Sequence, residues 1–236
     1  MNIPKNMYED AIFRWNIFKG CEFDCIYCKS SFQRQAKRQK HRCLKCYEYT
    51  PHFHPERLNQ SLPNTIGGQF IWVASSGDIS FCKKEWMDLI LNRIRELPQK
   101  TFFFQTKNPI FFKDYHFPDN VILGITLEAD RYPNESYSKA PKPKERMRIF
   151  DEIDHERKTI TIEPVLNFDL FKFTEMIVEM RYQPERIYIG YDSKKNELHE
   201  PSLEETSELI ALLKLRLGEE CKIKEKLMRR AWWENE

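Results

Sequence analysis

The sequence lacks any apolar run approaching the ~18–20 residues that a membrane span needs. No apolar segment of signal-peptide type stands in the polar stretch from Met1 to Asp10. There is no low-complexity tract and no repeat at a fixed period. Charge of one sign is missing too: 38 Lys and Arg against 36 Asp and Glu leave a net charge of +2, so overall charge names no partner. Seven cysteines in 236 residues are too few for a secreted disulfide scaffold. The expectation is a cytoplasmic protein with reduced thiols and no membrane partner.

What is present suits one domain over residues 1–236, since 41% hydrophobic residues can build a sizeable core. Residues 13–18 alternate apolar and polar as a first strand would, and Gly20 lets the chain turn afterwards. The stretch after Cys28 is helix-friendly to about residue 39, and residues 41–62 read as irregular, broken by Pro51 and Pro55. Strands are expected over 69–75, 101–106, 121–128, 158–163 and 186–190, and helices over 84–97, 144–153, 169–180 and 203–217, with a short one after Pro109. Strands alternating with helices predict parallel pairing through right-handed crossovers. About six such units fit an α/β fold of the partial (β/α)6 barrel kind.

Within Gly20–Cys28, Cys21, Cys25 and Cys28 fall at the spacing Cys-x3-Cys-x2-Cys, with Tyr27 before the last. Soft thiolates favour iron–sulfur clusters and zinc. Three thiolates on a four-iron cube leave one iron open to a small molecule. Zinc needs a fourth ligand, and the pair Cys43 and Cys46 could supply one, so a zinc-dependent nucleic-acid-binding module built from Cys21 to Cys46 is the rival reading.

In parallel α/β barrels chemistry gathers at the C-terminal strand ends. Here those ends carry Ser75-Ser76-Gly77-Asp78, Gln105-Thr106-Lys107, Thr126 and Glu128, Glu163-Pro164, and Gly190-Tyr191-Asp192. Polar groups recur wherever apolar strands stop, and a zinc ribbon has no need of such a barrel.

The cysteine spacing resembles the signature of the radical S-adenosylmethionine (SAM) superfamily. The motifs Trp15-Asn16, Phe53-His54-Pro55-Glu56-Arg57-Leu58, Ser76-Gly77-Asp78, Gln105-Thr106-Lys107-Asn108-Pro109, Leu123 to Glu128, Ala140-Pro141 with Arg146, and Ile162-Glu163-Pro164 extend the likeness. Together they resemble a phage-associated radical SAM family of unknown function, distantly similar to spore photoproduct lyase. The resemblance implies a TIM-like partial barrel and one [4Fe–4S] cluster on Cys21, Cys25 and Cys28. It also implies reductive cleavage of SAM to a 5′-deoxyadenosyl radical, with a flavodoxin or ferredoxin as electron donor. SAM contacts are then expected at Ser76, Gly77, Asp78, Thr106, Lys107, Thr126, Glu128, Arg146 and Glu163. Lys107 and Arg146 suit its carboxylate. Glu128, Thr126 and Ser76 suit its ribose hydroxyls, and Gly77 allows close backbone approach. Many superfamily members carry two glycines and an acid after the second strand to bind the SAM ammonium. Here Ser75-Ser76-Gly77-Asp78 stands there, and that role falls to Ser76 and Asp78. An iron–sulfur regulator that binds SAM without cleaving it is a further alternative.

Three features lie outside that set. Cys43 and Cys46, with His52 and His54, have metal-ligand spacing in an insert at about 41–63, read as a zinc knuckle, an auxiliary cluster or a reduced pair. Lys29, Arg34, Lys37, Arg38, Lys40, Arg42 and Lys45 form a basic run without an acid, either a solvated face or a surface for a nucleic-acid substrate. A basic tail at about 220–236 carries Trp232 and Trp233, suited to packing the open barrel end or to stacking on bases. Cys82 and Cys221 read as core thiols.

Overall fold

The computed structural model describes residues 8–132, 134–194 and 196–235. The strands in chain order are β1 (Ala11–Trp15), β2 (Phe18–Gly20), β3 (His52–Phe53), β4 (Phe70–Val73), β5 (Ser76–Gly77), β6 (Phe102–Thr106), β7 (Val121–Thr126), β8 (Lys158–Ile162), β9 (Arg186–Gly190) and β10 (Lys222–Lys226). The α-helices are α1 (Arg34–Ala36), α2 (Leu44–Glu48), α3 (Lys84–Arg95), α4 (Pro143–Asp151), α5 (Leu170–Val178) and α6 (Leu203–Leu217). Seven strands form one sheet in the order β1-β4-β6-β7-β8-β9-β10, parallel at every pairing.

The central strands are apolar on both faces, as a doubly covered parallel sheet requires. One face, with Val73, Phe104, Leu123, Ile125, Ile160 and Ile189, packs under the long helices through residues such as Ile90, Phe150, Ile177 and Leu213. The other face curls round Tyr8. Its ring centroid lies 4.6 Å from Trp72 on β4 and 4.6 Å from Tyr188 on β9. In a flat sheet those strands would stand roughly 19 Å apart, at about 4.8 Å per strand. The sheet is therefore a half-barrel, with Tyr8, Phe70, Phe103 and Ile122 filling its interior. The helices start where the sequence places them. Pro143 opens α4, and Ser202 with Glu205 makes a capping box at α6.

The expected α/β partial barrel is present, with three differences of detail. Its sheet carries a seventh strand beyond the six expected. The extra one, β10, reads Lys-Ile-Lys-Glu-Lys, an edge strand with one apolar residue and hence little strand signal. Residues 13–18 are two strands, not one. Asn16 takes the chain out of the barrel sheet, its side-chain oxygen accepting from the Ser75 hydroxyl (3.0 Å) and the Ser76 N–H (2.8 Å). Finally, residues 41–62 are not irregular throughout. They contain α2, β3 and a 3-10 turn at Pro55–Arg57.

β2 joins a second, three-stranded sheet in the order β3-β2-β5, which ties the insert to the end of β4. Gly20 is its tightest point. It holds φ +95°, and an added Cβ would sit 2.3 Å from the Thr50 carbonyl oxygen. Gly20→Ala is expected to destabilise the chain by about 1–3 kcal/mol; urea denaturation with an unchanged midpoint would contradict this close approach.

Candidate active site

The loop Cys21–Cys28 leaves β2 and is pinned by backbone on both sides. The Cys21 N–H donates to the Tyr49 carbonyl (3.2 Å), and the Lys139 N–H to the Phe23 carbonyl (2.7 Å). Phe23 packs on Phe81, 4.7 Å between ring centroids. All three loop cysteines are free. They line one cavity together with Tyr27, Trp72, Gly77, Asp78, Gln105, Thr106, Lys107, Thr126 and Glu163. Cys25 Sγ lies 3.1 Å from the Ser138 hydroxyl. The neighbouring Cys28 thiol lowers the Cys25 thiol to about 6, against the effect of burial and with help from Lys107. Cys25 and burial raise Cys28 in turn, while burial and then Asp78 raise Cys21. A loop with one thiol already poised as thiolate suits a cationic metal group.

Behind the cavity lies an ionic network. Glu128 is 0% exposed and receives hydrogen bonds from Lys107, Tyr27, Tyr132 (3.1 Å) and Arg146 (2.9 Å). Burial alone would raise its carboxyl, but Arg146 and Lys107 outweigh this and hold it down to about 2. Arg146, equally buried, also donates to the Thr126 carbonyl and to Tyr132. The Lys107 ammonium faces the Tyr27 ring at 5.3 Å.

Asp78 ties the strand ends to one another. Its Oδ1 accepts from the Ser80 N–H (3.0 Å) and the hydroxyls of Ser80 (2.8 Å) and Thr106 (2.6 Å); its Oδ2 accepts from the Lys107 N–H (2.8 Å). Gln105 donates to the Thr126 hydroxyl (2.8 Å). Glu163 is different. Its Oε1 lies 3.4 Å from the Lys226 ammonium, while its Oε2 is buried without a hydrogen-bond partner. Burial raises this carboxyl, and Lys226 offsets part of the rise.

Of the expected cofactor contacts, Gly77, Asp78, Thr106, Lys107, Thr126 and Glu163 line the cysteine cavity, whereas Ser76 lines two neighbouring pockets instead. Glu128 and Arg146 stand behind it, spent on each other. Gln105, Trp72 and Tyr49 also line the cavity, although residue type gives no reason to select them. A neighbouring groove, lined by Arg14, Tyr27, Glu163, Asp192, Lys194 and Lys226, runs along the open seam between β1 and β10.

The insert brings Cys43, Cys46, His52 and His54 together, their ligand atoms all within 4.8 Å of one another. No other such group occurs among the described residues. Cys21, Cys25 and Cys28 take no part in the Cys43 and Cys46 set, against a single zinc module from Cys21 to Cys46. The basic run is exposed throughout. The tail folds back: Trp232 and Trp233 donate to the carbonyls of Leu198 (2.7 Å) and Glu200 (2.9 Å), and Arg229 forks onto Glu200. Cys82 and Cys221 are buried in the core under the helices.

Fold and site together define the partial barrel of the radical SAM type, a curled parallel sheet with its cysteine loop opening beside the strand ends. Solved structures with this fold include spore photoproduct lyase. A cysteine-to-alanine variant with dinucleoside spore photoproduct aligns over 95% of this chain and 81% of its own, at 8% identity and TM-score 0.59. A cysteine-to-serine variant aligns over 95% and 79%, at 10% identity and TM-score 0.61. A third structure, with bound AdoMet and dinucleoside spore photoproduct, aligns over 94% and 80%, at 9% identity and TM-score 0.58. No protein-family model and no curated protein matches the chain, so the phage-associated family rests on the motifs alone. Among the described residues, no helix is long and apolar enough to cross a membrane.

Proposed function

We propose that this chain is a radical SAM enzyme acting on a nucleotide or nucleic acid. The observation that carries the reading is one cavity lined by three free cysteines and by the polar ends of adjoining parallel strands. These residues fit a [4Fe–4S] cluster on Cys21, Cys25 and Cys28: the thiols are soft donors, free of disulfides, and line one cavity. Held by those three thiolates, a cluster would supply the one-electron reduction that cleaves SAM and so allows hydrogen abstraction from the substrate, with a flavodoxin- or ferredoxin-class protein as the source of the electron.

The chain's own residues would do the rest. Lys107 offers its ammonium to the SAM carboxylate from a position fixed by Glu128 and the Tyr27 ring. Thr126 and Gln105 present a hydroxyl and an amide to the ribose. Gly77 and Ser76 bring backbone close to the methionine part, and Asp78 holds the Thr106 and Lys107 turn in place. Arg14, Lys194 and Lys226 in the seam, with the exposed run from Lys29 to Lys45, supply cations for a phosphate backbone. The neighbours' dinucleoside ligand supports the same substrate class.

Anaerobically reconstituted protein with dithionite and SAM is expected to release 5′-deoxyadenosine and methionine in equal amounts, without added substrate. Bound SAM that stays intact with every reductant tried would favour the regulator reading.

A further inference from the structure

We propose that Cys43, Cys46, His52 and His54 bind one zinc ion, in a structural site separate from the cysteine loop. Zinc bound at about 2.3 Å by sulfur and about 2.05 Å by nitrogen in a tetrahedron sets each sulfur–nitrogen edge near ~3.5 Å. Three such edges are on hand. Cys43 Sγ lies 3.5 Å from His52 Nε2, and Cys46 Sγ lies 3.3 Å from His52 Nε2 and 3.3 Å from His54 Nε2. Both imidazoles turn the same nitrogen inward. Their outward nitrogens are held, His52 Nδ1 by the Thr50 carbonyl (2.7 Å) and His54 Nδ1 by the Glu56 carboxylate (2.8 Å). Those bonds place the proton on Nδ1 and leave each Nε2 lone pair for a metal. The Cys46 N–H donates to Cys43 Sγ (3.4 Å), which fixes that sulfur beside the other three ligand atoms.

The donor set selects the ion. Two thiolates and two imidazoles in a tight tetrahedron suit zinc. Four protein ligands close the shell and leave no position for substrate, and Cys46, His52 and His54 are buried, so the role is structural.

The placement gives that role a target. His52 pairs with Lys19 across β3 and β2, and the His54 N–H donates to the Ile17 carbonyl (2.7 Å). Tyr49, between the cysteine pair and the histidines, accepts from the Cys21 N–H. Zinc therefore ties the insert to the strand that delivers the first cysteine of the active-site loop.

The test uses the full chain carrying Cys21→Ala, Cys25→Ala and Cys28→Ala, so that no iron at the loop confuses the count. Purified from zinc-containing medium, it should hold one zinc per chain by elemental analysis. Exchange for Co(II) should give the intense visible d–d bands of a tetrahedral site and thiolate-to-cobalt charge transfer. Further replacement of Cys43 and Cys46 by serine should remove the metal. Should that variant fail to fold, His52→Ala alone must weaken Co(II) binding at least tenfold and shift its bands. Chelating the zinc should also speed exchange of the backbone amide at position 21, which any side chain there leaves in place. A metal-free chain, iron with sulfide at this site, or weak octahedral cobalt bands would overturn the proposal. Unchanged exchange at position 21 would overturn the tie to the loop.

Discussion

Single replacement of Cys21, Cys25 or Cys28 by alanine is expected to abolish the oxygen-sensitive cluster in anaerobically reconstituted protein. All three thiols line the same cavity. Thiolates on separate irons cannot substitute for one another. Iron and sulfide counts, with the visible absorbance of the reconstituted protein, check this, and the zinc count of the insert should stay at one. Four irons retained in the triple variant would remove the basis of the proposed function. The fold should survive, because Cys25 and its neighbours belong to a small apolar cluster with Phe23, Tyr27 and Leu166, apart from the core under the helices.

Glu128→Ala is expected to cost about 3–5 kcal/mol of stability in urea denaturation, which is the largest effect of any one substitution outside the helix-packed core. It strands the Arg146 guanidinium, 0% exposed, and the Lys107 ammonium without their shared anion. Breaking a buried pair by removing one partner costs far more than the pair contributes as a whole. Replacing Glu128 with Leu and Arg146 with Met together should therefore recover most of the loss. The pH dependence follows from the depressed carboxyl. Unfolded, the group titrates near about 4.3; folded, Arg146 and Lys107 hold it down to about 2 against burial. Its stabilising share is thus complete above the unfolded value and fades as pH falls towards about 2. The gap between wild type and Glu128→Gln should narrow over that window. A constant gap would mean that charge is not what Glu128 contributes.

This network marks where sequence reasoning stopped. Glu128 reads as a strand-end acid facing the barrel mouth, and β7 does deliver it to that end. Tyr132 stands only four residues on, but its other partners come from three distant places: Tyr27 in the cysteine loop, Lys107 after β6 and Arg146 in α4. No local pattern announces such convergence. Patterns held within a few residues were legible. The loop spacing of Cys21, Cys25 and Cys28 is one. The Cys43 and Cys46 pair with His52 and His54 is another, since a helix start and a two-residue strand bring them together. Continuous apolar strands such as Val121–Thr126 announced the parallel sheet. Lys222–Lys226 did not, because an edge strand with solvent on its flank needs little hydrophobicity.

Tyr8 carries a consequence for traffic. It fills the inside of the half-barrel beneath the site, and its hydroxyl reaches Gln105 and Thr161 (2.8 Å), so it forms a floor under the residues that line the cavity. Beside it, Asp10 clasps Tyr188 (2.8 Å) and Lys224 (3.0 Å) at the base of the seam between β1 and β10. Among the described residues the cavity is thus closed from below and open at the strand ends and along the seam. On the proposed function, SAM beside the cysteine loop would lie deeper than a substrate held in the seam, and kinetics should be ordered, with SAM entering first.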